Sequence, residues 1–350
     1  MNSFAQRLLQ WFDQNGRKDL PWQQNKTAYR VWVSEIMLQQ TQVATVIDYY
    51  QRFMTRFPTV ADLAAAELDE LMHYWSGLGY YSRARNLHRC AQMVCQQFQG
   101  KFPATVEALI ELPGIGPSTA GAISSIAFKQ RAPILDGNVK RVLCRHEAIE
   151  DWPGKSQIQK QLWHFAEQYT PNERNDDYTQ AIMDLGATLC TRRQPDCERC
   201  PVASDCKAKI AGIAAQLPAS NPRREKPVKR CQMILLQAPD KSILLQKKQV
   251  KGVWQDLWCP PQLEADDDAE QWIDEQFHYP SKTIERWSPF RHSFSHYHLD
   301  IEPVLVNLQN HPGTVMEGKD WLWYNSREHD SVGIAAPIQK LLLRAQEQLL

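Results

Sequence analysis

The chain has 350 residues, with 40 basic and 40 acidic side chains, so its net charge of zero gives no global reason to expect nucleic acid. That length favours two domains over one, and 43% apolar residues suffice for packed cores and exclude a disordered chain. No run approaches the ~18 apolar residues of a membrane span, and Met1-Asn2-Ser3-Phe4 lacks a secretory pattern, so no membrane association and a reducing, cytoplasmic setting are expected.

Residues 1–216 read as mostly helical, with apolar-periodic stretches at 4–12, 31–53, 63–75 and 158–169. Turn signals separate them at Pro58, Gly77-Leu78-Gly79, Pro103, Pro113-Gly114, Pro153-Gly154 and Pro171. Residues 217–229, with three prolines and four basic residues, read as an exposed linker. Beyond them, 230–350 reads as a mixed α and β domain. Its expected strands are 232–237, 242–247, 298–306 and 321–325, and its expected helices 268–277 and 337–349.

Five motifs carry chemistry. On a helix Glu35 neighbours Val31, Trp32, Leu38 and Gln39, three of them apolar, so its carboxyl is partly desolvated and its pKa is expected to rise. The plain alternative is an exposed helix glutamate. The stretch Gly77-Leu78-Gly79-Tyr80-Tyr81-Ser82-Arg83-Ala84-Arg85 joins a flexible turn, an apolar and aromatic wedge, and arginines suited to phosphate. Core packing is the alternative for the tyrosine pair. At Leu112-Pro113-Gly114-Ile115-Gly116 two glycines permit a tight turn, and the helix that follows presents unpaired N–H groups, a site for phosphate. A simple connector reads equally well there. Asp136, before Gly137-Asn138, reads locally as a helix N-cap.

The fifth motif is Cys190, Cys197, Cys200 and Cys206, spaced C-x6-C-x2-C-x5-C. Four thiolates crowded in one loop of a reducing-compartment protein point to a metal, and the spacing alone leaves zinc and a cubane iron–sulfur cluster both open. Basic residues gather at Arg83, Arg85 and Arg89, at Lys140, Arg141 and Arg145, and in the cysteine loop at Arg192, Arg193, Arg199, Lys207 and Lys209. Each group serves either as a phosphate-facing surface or as a solvated face.

The cysteine spacing resembles the 4Fe–4S loop of the endonuclease III and MutY branch of DNA glycosylases. The hairpin with Pro117-Ser118-Thr119-Ala120-Gly121 after it resembles that superfamily's helix–hairpin–helix, and Asp136 stands where it places a catalytic aspartate. Ser34-Glu35-Ile36-Met37-Leu38-Gln39-Gln40-Thr41-Gln42 is similar to the catalytic glutamate segment of MutY-type adenine glycosylases. The resemblance implies an all-α helix–hairpin–helix glycosylase domain with an iron–sulfur cluster loop, plus a C-terminal α/β Nudix-like domain. It implies that Glu35 protonates adenine and helps activate water while an ionised Asp136 stabilises the cationic sugar, their environments pushing the two pKa values apart. It also implies that Leu78 and Tyr80 wedge into DNA with Gln40 close by, and that Gly114, Gly116, Ser118 and Lys140 contact DNA.

In the second domain, Phe294-Ser295-His296 matches the loop with which MutY proteins read 8-oxoguanine, although histidines in such a region also serve as plain polar surface. Residues 266–277 lack the R-E-x-x-E-E core of a Nudix hydrolase, so pyrophosphatase activity is not expected. Endonuclease III-type bifunctional enzymes, which act on oxidised pyrimidines, carry a Schiff-base lysine after the hairpin. Ser118 stands at that position, and a hydroxyl cannot form an imine. The expectation is therefore a monofunctional, monomeric enzyme with a 4Fe–4S cluster, acting on double-stranded DNA with 8-oxoguanine:A or G:A pairs. Lys140 could trap the sugar adventitiously, and mismatch-repair or sliding-clamp proteins are the partners implied by family.

Overall fold

A computed structural model describes residues 3–221, 225–277, 282–309, 320–325 and 332–347. Twelve helices occupy the first part of the described chain: α1 (Ser3–Asn15), α2 (Ala28–Leu38), α3 (Val43–Arg56), α4 (Val60–Ala65), α5 (Leu68–Trp75), α6 (Ser82–Phe98), α7 (Val106–Ile110), α8 (Pro117–Phe128), α9 (Gly137–His146), α10 (Ser156–Tyr169), α11 (Asn175–Thr188) and α12 (Lys207–Ile210). The contacts divide the chain into two compact units, Met1–Ala65 with Arg85–Arg223, and Ala66–Ala84 with Arg224–Leu350. The third switch, at 223/224, falls inside the expected linker, of which residues 222–224 lie outside the described residues. That Ala66–Ala84 groups with the carboxy-terminal residues is announced by no sequence signal.

Local chemistry starts the helices of the first unit. Thr27 caps α2 by accepting from the Arg30 N–H, Thr105 caps α7 by accepting from Ala108, and Pro117 opens α8 where a missing N–H costs nothing. In α1 the buried residues Phe4, Ala5, Leu8, Leu9 and Phe12 form one stripe, as expected of an amphipathic helix. The apolar stretch expected at 31–53 is two helices, because α2 ends at Leu38 and Gln40 takes a left-handed φ of 58° before α3 begins. The stretch at 63–75 is likewise split between α4 and α5. Among the described residues no helix is long and apolar enough to cross a membrane.

The second unit is built on strands β1 (Val228–Gln237), β2 (Ile243–Lys247), β3 (Trp258–Cys259), β4 (Gln262–Glu264), β5 (Lys282–Arg286), β6 (Phe290–Ser293), β7 (His298–Leu308) and β8 (Trp321–Tyr324), with helices α13 (Ala269–Phe277) and α14 (Ala336–Glu347). The main path runs β3-β2-β1-β7-β5, with β4 on β1, β6 on β7 and β8 on β2. The pair β1 and β7 is parallel from Val228↔His298 to Gln237↔Asn307, and residues 231–237 of β1 are buried on both faces, which explains their nearly unbroken apolar run. On one face Ile234 and Leu236 pack with Ala269 and Ile273 of α13. On the other, Gln237 donates to the Ala345 carbonyl of α14 at 3.1 Å. Asp268 caps α13 by accepting from the Glu270 and Gln271 N–H groups.

Candidate functional site

Glu35 lies on α2, whose buried face includes Val31, Trp32, Ile36 and Met37. Part of the residue stays open to solvent. Even so, desolvation, with the charge of Asp136 adding to it, lifts its carboxyl to about 8. No hydrogen bond to a described residue offsets that shift. An accessible carboxyl that holds its proton at neutral pH is suited to general acid work.

Asp136 is the N-cap of α9 and accepts from the Val139 N–H at 2.7 Å. The local reading of Asp136 as a helix N-cap therefore holds. Burial raises its pKa as well, against the expectation that environment would lower one carboxyl and raise the other. What separates the two acids is partners. Asp136 is supported by Val139, Arg141 and Asn138, each of which favours its anion, whereas Glu35 has the Asp136 charge against it. Asn138 donates to Asp136 at 3.4 Å, Arg141 donates to Asn138 at 2.8 Å, and Arg141 also reaches the Gly186 and Cys190 carbonyls at 2.6 and 2.7 Å. Asn138 was visible only as a helix residue after the acid, and Arg141 only as one of a basic group with Lys140 and Arg145.

The hairpin places three of the expected residues. Gly114 has φ +78°, and a Cβ there would stand 2.8 Å from Cβ of Asn86, so glycine is required on both counts. Gly116 caps α8, and a Cβ there would have no atom of the described residues within 4 Å beyond its own neighbours. Among the described residues nothing demands glycine at 116, which suits close approach by an external partner. Ser118 faces inward instead: its Oγ accepts from the Leu135 N–H at 3.1 Å, tying α8 to the segment that presents Asp136. Gly121, not singled out in the sequence, serves the same junction, since a Cβ there would lie 2.3 Å from the Pro133 carbonyl oxygen. A glycine in mid-helix was the available signal. Lys140 lies in the first turn of α9, and its N–H bonds the Asp136 carbonyl.

Cys190, Cys197, Cys200 and Cys206 are free of disulfides and line one cavity, walled by apolar residues including Val142, Leu185 and Leu189. Among the described residues no three His, Cys, Asp or Glu side chains close on a point as one bound ion needs; the four thiols stand around a shared space. Arg145, 2% exposed, donates to Cys190 Sγ at 3.3 Å and to the carbonyls of Thr191, Arg192 and Leu217 at 2.7, 3.2 and 2.9 Å. A buried cation beside Cys190 offsets thiolate charge and ties the start of the loop to Leu217. The residues thus fit an iron–sulfur cluster.

These contacts correct the charge reading. Arg141 and Arg145 are turned to carbonyls, and Arg199, Lys207 and Lys209 pair with Asp196, Glu147 and Glu198. Arg192 and Arg193 remain exposed.

Within the second unit the turn after α5 is held by Trp75, which donates from Nε1 to the Gly79 carbonyl at 3.1 Å. Arg83 donates to the Leu78 and Gly79 carbonyls and lies over the Trp75 and Tyr80 rings, so it braces the turn rather than standing ready for phosphate. Tyr80 is 47% exposed at φ 48°, whereas Leu78 is buried, so only the tyrosine presents its side chain. In the β6–β7 connection Ser295 and His296 are exposed and Phe294 is half-buried.

Residues 33–168 match the HhH-GPD superfamily of base excision DNA repair proteins, 190–206 the iron–sulfur binding domain of endonuclease III, and 232–344 the NUDIX domain. The match over the cysteine loop decides between zinc and iron: the chain carries a 4Fe–4S cluster there. Over 339 residues the chain is 39% identical to the adenine DNA glycosylase of Buchnera aphidicola subsp. Acyrthosiphon pisum, covering 97% of this chain and 96% of that one. Over 229 residues it is 48% identical to the adenine DNA glycosylase of Homo sapiens, covering 63% of this chain and 42% of that one. A solved thermostable thymine-DNA glycosylase aligns with a TM-score of 0.54 and 27% identity, over 59% of this chain and 95% of that one. With identity sustained over nearly its full length, this chain belongs to the adenine DNA glycosylase family of base excision repair enzymes.

Proposed function

We propose that the enzyme hydrolyses the N-glycosidic bond of adenine paired with 8-oxoguanine or guanine in duplex DNA and leaves the strand uncut. The observation that carries this reading is the acid pair, a proton-holding Glu35 beside an Asp136 whose anion has three supporting groups. Adenine must leave the helical stack before its bond can break. The exposed Tyr80, on a turn braced by Arg83, supports a role in that extrusion. Glu35 passes its proton to the departing base, and the Asp136 carboxylate stabilises the positive charge that develops on the sugar. Water then adds to the sugar carbon and gives a proton back to Glu35, which restores the starting state.

Ser118 is bonded to the Leu135 N–H and brings no amine, so no imine with the sugar is available from the hairpin. Cys190, Cys197, Cys200 and Cys206 would hold the cluster, which supplies a fixed loop and takes no part in bond cleavage. Ser295 and His296 offer hydrogen-bonding groups to a purine edge, which supports their reading as the recognition pair for 8-oxoguanine. The test is single-turnover cleavage of a duplex with one 8-oxoguanine:A pair, with and without hot alkali. Strand breaks after alkali alone are expected. Breaks without alkali would overturn the monofunctional assignment, with Lys140 as the first amine to replace.

A further inference from the structure

The connection between β6 and β7 is a tight turn, closed by the Phe294 N–H bonding the Tyr297 carbonyl at 2.9 Å. Its two central residues, Ser295 and His296, are exposed, while Phe294 turns inward against three rings. The centroid distances are 4.5 Å to His292, 4.8 Å to Tyr297 and 5.3 Å to Trp254. Trp254 also meets His292, at 5.7 Å.

Trp254 is an unusual floor for such a turn. It is 5% exposed, lies outside the sheet-packing cluster of Ile234, Leu236 and Val304, and holds a left-handed φ of 62° that side chains other than glycine rarely adopt. Three backbone hydrogen bonds fix its loop: Lys248 to Leu257 at 2.9 Å, Asp256 to Lys248 at 2.8 Å, and Leu257 to Trp254 at 3.0 Å. A strained backbone kept in place by its surroundings points to a use for the side chain it presents. Lys226 also donates to the Phe294 carbonyl, at 2.7 Å.

We infer that Trp254 is a positioning residue for recognition of the oxidised purine: its buried indole seats Phe294, so that Ser295 and His296 project from the turn in one fixed register. This rests on the reading of Phe294, Ser295 and His296 as the recognition turn. Hydrogen bonds that must tell 8-oxoguanine from guanine depend on placement within a fraction of an ångström, and a two-residue turn has no rigidity of its own. Lys226 clamps the main chain of the same turn as a second support.

The test is the ratio of single-turnover excision rates on 8-oxoguanine:A and G:A duplexes, in the full-length, cluster-loaded protein. Trp254→Ala is expected to lower that ratio by about tenfold or more. Trp254→Phe, which keeps a ring against Phe294, should retain most of it. An unchanged ratio in Trp254→Ala, with both rates falling together or neither falling, would overturn the inference. So would Trp254→Phe losing as much as Trp254→Ala. Ser295→Ala and His296→Ala separate the two levels of argument. If they lower the ratio and Trp254→Ala does not, only the role of Trp254 falls. If they leave it unchanged, the recognition turn itself is misread and this inference falls with it. Thermal unfolding and cluster absorbance check folding, and should Trp254→Ala unfold, Lys226→Met carries the same comparison: a lowered ratio is expected there while Trp254→Phe retains most of it, and an unchanged ratio in Lys226→Met would overturn the inference.

Discussion

Glu35 and Asp136 are both lifted by burial, yet only Asp136 has groups that favour its anion. The excision rate should therefore fall as pH is raised through about 8, where Glu35 loses its proton. The same shift acts on stability. The folded carboxyl keeps a proton that the unfolded chain releases above about 4.5, so stability declines as pH climbs from there to about 8. Glu35→Gln removes that liability. It should abolish excision, leave fold and cluster intact, and unfold at a higher temperature than the parent at pH 8, with the gap closing toward pH 4. Calorimetry across that range checks the sign. For Asp136 the two roles separate by substitution. Asp136→Asn keeps an oxygen for the Val139 N–H and so keeps the cap of α9, whereas Asp136→Ala loses it at a cost of about 1 kcal/mol. Both should lose excision, and denaturant titration should show the stability loss only in the alanine variant.

The helix–hairpin–helix shows what a sequence discloses about an element and what it withholds. Its boundaries were legible because Pro113 and Pro117 restrict the backbone, and Gly114 and Gly116 free it, by themselves. Asp136 was legible as a cap for the same local reason, and β1 and β7 through their apolar runs. The short strands β3, β4, β5 and β6 were not, since each exists through pairing with β1, β2 or β7 rather than through its own pattern. The arginines misled for a related reason. Charge marks a residue type, but Arg141 and Arg145 find partners far along the chain, at carbonyls brought near by folding, and Arg83 turns back on the Leu78 carbonyl of its own turn. Gly121 is the junction between these levels, a local oddity whose cause is the Pro133 carbonyl of another segment. Gly121→Val should push α8 off that segment and destabilise the chain by about 1–3 kcal/mol. Excision should fall further than stability explains, because the displaced segment ends at Asp136. Rates measured well below the unfolding transition separate the two effects.

For the molecule as a whole, zero net charge means that DNA is held by local features, and many of the cations near the cysteine loop are already ion-paired. Arg192 and Arg193 stay exposed on the loop that begins at Cys190, while Arg145 grips the carbonyls of Thr191 and Arg192 from beneath. If the cluster keeps that pair of cations in place for phosphate, its loss should be felt at the phosphate backbone before it is felt at the acid pair. Cys200→Ser should lower the iron content and weaken affinity for duplex DNA by about tenfold at moderate salt, with a shallower salt dependence than the parent as phosphate contacts are lost. Because Glu35 owes its raised pKa to its own burial and to Asp136, the pH at which residual excision fails should stay near 8 in the same variant. Cys90→Ser and Cys231→Ser alter buried thiols away from the loop and should leave iron content unchanged. Iron analysis, anisotropy titrations at several salt concentrations and a pH–rate profile check the set. A shift of that pH with loss of iron would mean that the cluster shapes the acid pair itself, through the path from Cys190 by Arg141 and Asn138 to Asp136.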